Sequence, residues 1–429
     1  MSIKLTEKLF NYTIISSFLA GFIIVINNPI QIVNDSEGYL NMVITRSASY
    51  PIFLQIIRTL FGSYFNTATI ILQYILGVGS IYVFISTLKK YYKLELIWLI
   101  LLNVILLIPY LYNHKLANVF LSEALAYPLY LITISLFLKS ILTSKIKPII
   151  IALPILLILI QTRSQFLFLV PIAIGILLWF WYQQKKLENK WLLALLLVFP
   201  ILSGLTDKTY HKIAHNHFVS TPWTGIHLLT PAFFVADSED FTIYKSKVEQ
   251  DLFRKIYSDL AEKHLNINEF ESESNITDEL PIYVEYYADI ANFTILPAGM
   301  QFADSSKTND EKLIEVDLLT KQMSTPLILN NFKPWLKLYF KNFVYAFGNA
   351  KYALLLFIIL IFSFIKGLKT NAIEYKIILF ISLLSIGNVA LISIGMHTLK
   401  RFTFYNDWVF FLIFFILISA KNLANKPKP

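Results

Sequence analysis

Long apolar runs separated by short polar stretches recur along this 429-residue chain. Most runs have about 17–25 residues, the length at which a helix crosses a hydrocarbon core about 30 Å thick. Lipid offers no partner for backbone amides, so such segments must be helical. The pattern predicts an all-α polytopic membrane protein with about ten transmembrane helices. We place them near residues 9–30, 67–87, 94–111, 121–138, 148–161, 165–183, 191–206, 352–366, 373–396 and 403–420.

The segment 207–350 interrupts this pattern. Stretches such as "NEFESESNITDELP" are typical of loops, whereas "YKSKVEQDLFRKIYSDLAEKHL" repeats apolar positions at helical spacing. Near its end, "LNNFKPWLKLYFKNFVYAFG" alternates lysine with aromatic residues, as in a helix that lies in the membrane interface. We expect an N-terminal transmembrane module of about seven spans (1–206) with a first outer loop at 31–66. A mostly helical extracytoplasmic domain (207–350) and a C-terminal module of about three spans (351–429) follow.

Composition and charge support this division. Hydrophobic residues make up 56% of the chain and charged residues 15%, whereas soluble domains have about 45–50% and about 25%. Lysines cluster after the even-numbered spans and at both ends, so the positive-inside rule places both termini in the cytoplasm. Segment 207–350 has 13 basic and 20 acidic residues, and the net charge of +9 therefore belongs to the membrane portion. This charge indicates topology and gives no case for nucleic-acid binding.

The chain contains only five arginines, and all fall on the predicted outer side: Arg46, Arg58, Arg163, Arg254 and Arg401. The planar guanidinium suits phosphate and carboxylate, so arginines kept on one face suggest an anionic ligand there. We expect this role for Arg163 and Arg401, since the other three have acidic neighbours or soluble surroundings. Chance and ordinary headgroup contacts are the alternative.

Two carboxylates, Asp35 and Glu37, directly follow the first span in the stretch "IVNDSEGYL". A carboxylate at the membrane rim is partly desolvated, which raises its basicity and suits it to act as a general base. The alternative is that both acids are simply hydrated.

Three histidines, His211, His215 and His217, form another cluster. Their spacing allows a zinc site, but the sequence fixes neither a third well-placed ligand nor a nearby carboxylate, and polar surface histidines are the alternative. Because the chain has no cysteine, disulfides, thiolate nucleophiles and cysteine metal sites are excluded. We assign no metal ligand.

Several short stretches resemble the C-type (GT-C) superfamily of polytopic glycosyltransferases. The first outer loop, "NDSEGYLNMVITRSASYPIFLQIIRTLFG", has an Asp, a Tyr four residues later and a Tyr-Pro return. "SEALAYPLYLI" opens the fourth span with Glu123, and "KRFTFY" places Arg401 and Tyr405 just before the last span. "LNNFKPWLKLYFKNF" is similar to a helix that precedes the late spans in this superfamily. The segment 207–350 has no counterpart.

The resemblance implies a polyprenyl-phosphate sugar donor, a glycan, lipid or protein acceptor, and inverting transfer on the outer face of the cytoplasmic membrane. Asp35 would be the catalytic base, and Glu37 would bind acceptor, hold a cation or be idle. Glu123 would be a second acid, with a helix-start acid as the alternative. The remaining expected roles are donor-phosphate binding by Arg163, Arg401, Lys400, His397 and Lys115, and acceptor or sugar binding by Tyr39 and Tyr405. Arg401 is followed by Phe402 where the family often has Tyr, which puts a tyrosine role at that position in doubt.

Two other functional classes stay open. A polysaccharide polymerase or ligase of the O-antigen type shares the substrate chemistry, and a lipid or sugar transporter would need charged or broken spans at the midplane in two related halves. No glycine-rich nucleotide loop occurs, so a nucleotide sugar is not the expected donor. The sequence identifies no cofactor and leaves a divalent cation open. The lysine-, isoleucine- and asparagine-rich, arginine-poor usage favours a bacterial cell membrane.

Overall fold

A computed structural model of the chain describes residues 6–112, 114–186, 189–269 and 278–424. Within these residues the secondary structure is helical apart from one isolated β-bridge between Gln31 and Val119. The chain forms two compact units. The membrane unit comprises Met1–Asp207, Leu355–Asn388 and Phe404–Pro429, and the polar unit comprises Lys208–Leu354 and Val389–Thr403.

The α-helices follow one another with short connections. Up to residue 215 they are α1 (Glu7–Asn27), α2 (Asn34–Leu40), α3 (Ser49–Phe61), α4 (Phe65–Thr87), α5 (Leu96–Leu111), α6 (Glu123–Thr143), α7 (Lys147–Thr162), α8 (Leu169–Gln184) and α9 (Lys190–His215). The next are α10 (Thr224–Phe234), α11 (Lys247–Glu262), α12 (Leu280–Ile290), α13 (Leu296–Phe302), α14 (Asn309–Asn330) and α15 (Phe332–Tyr345). The last are α16 (Ala350–Thr370), α17 (Ile373–Ile392), α18 (Lys400–Thr403) and α19 (Val409–Ala424).

Within the described residues, eight helical segments are long and apolar enough to cross a membrane. They are Glu7–Asn27, Ser49–Tyr92, Glu123–Thr143, Ser164–Gln184, Lys190–His215, Ala350–Thr370, Ile373–Ile392 and Lys400–Ala420. This confirms an all-α multi-pass membrane protein. Two of the ten predicted spans, near 94–111 and 148–161, correspond to α5 and α7, which have only 16 residues each. The count of ten, the side of the membrane and the extracytoplasmic assignment of 207–350 stay predictions.

The helical hairpin of α6 and α7 determines where the two ends of these helices meet. Ser144 ends α6 in the left-handed conformation (φ 51°), and Pro148 stands in the first turn of α7, where a missing amide hydrogen costs nothing. The two helices pack closely along their length. A short connection makes neighbouring helices antiparallel, so the start of α6 lies beside the end of α7.

The helix α3 lies within the predicted first outer loop and is amphipathic. Its buried residues Tyr50, Leu54 and Ile57 are spaced by four and three residues, which places them on one face. On the other face, Ile52 and Ile56 remain exposed. The buried face packs on α4 and α7, and α2 packs on α3. The first outer loop is thereby held against the membrane-spanning helices.

The polar unit is organised around the contact between α10 and α14. Its core contains Phe233, Phe253, Ile256 and Met323, all without exposed surface. The segment is helical, as its periodicity predicts, and α14 starts with a capping box. There Thr308 accepts a bond from the Glu311 amide at 3.3 Å, while the Glu311 carboxylate accepts one from the Thr308 amide at 2.8 Å.

Candidate active site

Asp35 lies in α2, the short helix that follows the first span. Its Oδ1 accepts a hydrogen bond from Nη2 of Arg46 at 2.9 Å, and the side chains of Asp35 and Arg46 are 34% and 26% exposed. An arginine beside a carboxylate favours its charged form. The first turn of α2 does so too, because the helix dipole stabilises negative charge there. The Asp35 carboxylate is thus paired with a cation, and solvent still reaches it.

Gly38 and Tyr39 determine where the Arg46 guanidinium lies. The guanidinium sits over the Tyr39 ring, 4.8 Å from its centroid, which is a cation–π contact. A Cβ at position 38 would lie 2.7 Å from Nε of Arg46, closer than a side-chain carbon can approach. Tyr39 in turn packs edge-on against the buried ring of Tyr50, with the centroids 5.2 Å apart. The Gly-Tyr dipeptide of the first loop therefore positions the partner of Asp35.

Ser122 connects α2 to the start of α6. Its Oγ accepts hydrogen bonds from the Tyr39 hydroxyl at 3.0 Å and from Nη1 of Arg163 at 3.2 Å. Its own hydroxyl is directed to Oε2 of Glu123 at 3.3 Å. A serine hydroxyl has one donor and two acceptor sites, so these three contacts use its full capacity. Ser122 has no exposed surface, so its three contacts are shielded from solvent.

Glu123 and Arg163 form a second ion pair, which is buried. Nη1 of Arg163 lies 2.8 Å from Oε1 of Glu123, and only 12% and 2% of the two side chains are exposed. A buried carboxylate is tolerated when a charge and hydrogen bonds compensate it, as here. Beyond the pair, Nε of Arg163 donates to Gln165 at 3.1 Å, and the Gln165 amide donates to Asn388 at 3.2 Å.

The predicted candidates Asp35, Tyr39, Glu123 and Arg163 therefore belong to one network. It contains two arginine–carboxylate pairs, a half-buried one and a nearly buried one, which Tyr39 and Ser122 join. Side-chain contacts therefore connect a solvent-accessible carboxylate to a nearly buried arginine within the membrane unit. We call these contacts the Asp35 network.

Three other predicted residues of the membrane unit have different surroundings. Glu37 is exposed on α2, two residues from Asp35. Lys115 lies in the turn before α6 in the left-handed conformation (φ 44°), and its carbonyl accepts a bond from the Asn118 amide at 2.7 Å. Tyr405 has no exposed surface, and its ring packs edge-on against Phe166 with the centroids 4.9 Å apart. Burial gives Tyr405 a packing role rather than an open binding surface.

The remaining predicted donor-binding residues, His397, Lys400 and Arg401, belong to the polar unit. Lys400 is exposed, and the Arg401 guanidinium lies 5.7 Å from the Phe402 ring. Burial lowers the pKa of His397, and its Nδ1 lies 2.8 Å from the Val284 carbonyl. A neutral imidazole that donates from Nδ1 presents a lone pair at Nε2, which a phosphate oxygen repels. These contacts favour a packing role for His397, and the meeting of Arg401 with the Asp35 network stays a prediction.

The histidine cluster has no metal-binding geometry. His211 and His215 stack with ring centroids 5.7 Å apart, and Nδ1 of His215 lies 3.2 Å from a carboxylate oxygen of Asp310. In the described part of the chain, no group of three or more His, Cys, Asp or Glu side chains is arranged to hold a metal ion. The zinc alternative therefore gains no support from the described residues.

The sequence interpretation missed or underrated four members of the network. Arg46 was given a lesser role because an acid is near it, and that acid is the network's central carboxylate. Ser122 was noted only as the residue before Glu123. Gln165 and Asn388 were not singled out, although Asn388 is a polar side chain within an apolar stretch, which is the signal for a functional or structural polar contact in membrane helices.

Comparisons with protein-family models, with curated proteins and with solved structures gave no match to this chain. The class that the fold defines is an all-α multi-pass membrane protein.

Proposed function

We propose that this protein is an inverting membrane glycosyltransferase that moves a sugar from a polyprenyl-phosphate donor to a glycan, lipid or protein acceptor on the outer face of a bacterial cytoplasmic membrane. The observation that carries the proposal is the Asp35 network, in which one exposed carboxylate is joined to a buried arginine pair through Tyr39 and Ser122. The resemblance of the first outer loop to GT-C transferases, where an Asp and a Tyr have the same spacing, supports it independently.

The chemistry requires a base and a cation at one membrane-level site. In a single displacement, the acceptor hydroxyl attacks the anomeric carbon and passes its proton to Asp35. The bond between the anomeric carbon and the phosphate oxygen breaks, and its electron pair stays on the polyprenyl phosphate. A guanidinium stabilises the charge that develops there. We assign this role to Arg163, with Lys115 of the same unit as a further cation.

Arg46 and Glu123 act as positioning residues in this scheme. Arg46 keeps Asp35 ionised and fixes its orientation through the 2.9 Å contact. Glu123 is 2% exposed and bonded to Arg163, so it holds the guanidinium in place instead of exchanging protons with substrate. Glu37 is exposed and available to an acceptor on the same helix as Asp35.

A divalent cation is not given a role in this scheme. Asp35 and Glu123 each contact an arginine, and every step is assigned to side chains of the chain.

The test is transfer of radiolabelled sugar from polyprenyl-phosphate glucose, mannose and galactose to endogenous acceptors in membranes. We expect Asp35→Asn to reduce transfer at least about a hundredfold, the low end of general-base effects. The matched control is Asp251→Asn, which removes a carboxylate that also contacts an arginine, with Asp251 Oδ1 3.2 Å from Arg254 and 41% exposed, but on α11.

Equal transfer by wild type and Asp35→Asn at equal protein level would remove Asp35 as the base. Failure of the wild type to transfer from any of the three donors, together with uptake of the same lipids across vesicle membranes, would favour a transporter. Glu37→Gln separates the roles left open for that residue, because an acceptor-binding role predicts a raised acceptor KM at an unchanged kcat.

A further inference from the structure

The polar unit contains an open pocket of about 550 Å³ that is separate from the Asp35 network. Small-molecule sites usually have about 300–1,000 Å³, so the pocket has the size of a ligand site. Residues that follow α9 form one wall, and α13, α14 and the turn between them form the other. Every lining residue belongs to the polar unit.

The floor of the pocket depends on a close approach between α13 and α14. A Cβ on Gly299 would lie 2.7 Å from Cγ1 of Val316, which is 1% exposed. Only a residue without a side chain allows this contact, and the contact holds the two helices together beneath the pocket. The cavity is therefore bounded below by a packed, rigid surface.

The rim of the pocket combines aromatic rings with charged side chains. Phe218 is 55% exposed and Phe302 37% exposed, so both rings are accessible to a ligand in the pocket. Lys307, Glu311 and Glu315 line the same space. Single large apolar side chains are common at protein surfaces. Two phenyl rings beside carboxylates in one pocket are a less ordinary set, and a ligand there would contact both apolar and charged groups.

Hydrogen bonds within the chain orient the carboxylates of Glu311 and Glu315, and each carboxylate uses one oxygen for them. Oε2 of Glu311 accepts from the amide and the hydroxyl of Thr308, both at 2.8 Å, and Oε2 of Glu315 accepts from Nζ of Lys307 at 2.9 Å. The bond from the Thr308 amide lowers the pKa of Glu311, and the bond to Glu315 raises the pKa of Lys307. In the described part of the chain, no bond uses Oε1 of either glutamate.

This combination excludes several ligand classes. An acyl chain would strip water from three charged groups without replacing their hydrogen bonds. The lining has two carboxylates, one ammonium and His217, so with a neutral imidazole its formal charge is negative and it repels a phosphate or a uronic acid. A peptide that binds by strand addition needs a strand edge, and the walls here are helical. A carbohydrate has an apolar face of C–H groups for the rings and hydroxyls that donate to carboxylate oxygens.

We propose that this pocket binds an uncharged carbohydrate, namely the acceptor glycan of the transfer reaction. The role of this carbohydrate as acceptor rests on the proposed transferase function, whereas carbohydrate binding itself is inferred from the pocket. It narrows the acceptor from glycan, lipid or protein to a glycan, and it gives the polar unit a role in substrate capture.

The experiment measures binding directly on the purified full-length protein in detergent by saturation-transfer difference NMR. The probes are cellotriose, mannotriose and chitotriose, with trigalacturonate as the charged comparison. We expect at least one neutral trisaccharide to bind and trigalacturonate not to bind. Phe218→Ala and Glu315→Gln should each weaken that binding about tenfold, the scale of one lost aromatic or charge-assisted contact.

Matched variants separate the pocket from general surface effects. Phe293 is 65% exposed elsewhere in the polar unit, so Phe293→Ala removes an equally accessible ring, and Glu239→Gln removes an exposed carboxylate. Both should bind like wild type. The pocket proposal fails if no neutral trisaccharide binds, if trigalacturonate binds equally, or if Phe218→Ala and Glu315→Gln bind like the controls.

Binding and transfer fail independently in this design. Asp35→Asn should bind the trisaccharide with wild-type affinity while transfer is lost, which supports both proposals. Trisaccharide binding by a wild type that transfers no sugar would refute the transferase and with it the acceptor role of the pocket. In an active wild type, Phe218→Ala should raise the acceptor KM about tenfold at an unchanged kcat, whereas an unchanged KM would overturn the acceptor role.

Discussion

Replacing Glu123 by Gln tests whether the two ion pairs of the network have different energetic roles. Glu123 is 2% exposed and its partner Arg163 12% exposed, so the substitution leaves a nearly buried guanidinium without its counter-charge. Breaking a buried pair from one side costs about 3–5 kcal/mol. We expect about 3 kcal/mol, the lower end, because Arg163 keeps its bonds to Ser122 and Gln165.

The exposed pair provides the internal comparison. Asp35 and Arg46 are 34% and 26% exposed, and pairs that water reaches contribute about 0.2–1 kcal/mol. Asp35→Asn should therefore abolish transfer with a small change in stability, whereas Glu123→Gln should destabilise the protein.

The assay is a pair of double-mutant cycles read by unfolding of the purified protein in micelles. Combining Glu123→Gln with Arg163→Gln should give a coupling energy of at least about 2 kcal/mol, because the second change removes the stranded charge. Combining Asp35→Asn with Arg46→Gln should give a coupling energy below about 1 kcal/mol. Equal coupling in both cycles, or a Glu123→Gln protein as stable as Asp35→Asn, would refute the assignment of the buried pair as an anchor.

Three further predictions use other contacts of the two units. Gly38→Ala should reduce transfer without removing a functional group, because the added Cβ would lie 2.7 Å from Nε of Arg46 and would push the guanidinium away from Asp35. Activity equal to wild type would contradict this. Tyr39→Phe removes the bond to Ser122 and should cost about 1 kcal/mol in unfolding free energy, while Tyr12→Phe at a 57% exposed site should cost nothing. Burial lowers the pKa of His397 below 6.5, so the unfolded chain binds a proton that the folded chain does not, and stability should fall as pH drops below about 6.5; His397→Gln should flatten this dependence.

Periodicity and length were enough to predict the helical class and most of the apolar segments, since a membrane-spanning helix must be long and continuously apolar. The partners of individual charges were harder to predict. Asp35 and Arg46 are eleven residues apart, and Glu123 and Arg163 are forty residues apart, on the ends of different helices. The short connection predicts that these two helix ends lie on the same side, but which side chains pair there depends on how α6 packs on α7.

The same argument explains why Arg163 was predicted as a ligand contact and Arg46 was not. From the sequence, an acid near an arginine counts as a partner and an isolated arginine counts as available. In the folded chain both guanidiniums contact carboxylates at nearly the same distance, 2.9 and 2.8 Å. What distinguishes them is burial, which depends on the surrounding helices and has no local signature in the sequence.

Burial also decides which of the two carboxylates can exchange a proton during the reaction. A general base gains and loses a proton in every turnover, and each change of charge must be compensated by its surroundings. Water does this for Asp35, whose side chain is 34% exposed, at a small cost in stability. Protonation of Glu123 would instead strand the buried guanidinium of Arg163. A pair that anchors two helices is thereby unsuited to proton transfer, and a pair that transfers protons contributes little to anchoring them. The two carboxylates of this network therefore divide proton transfer and anchoring between them.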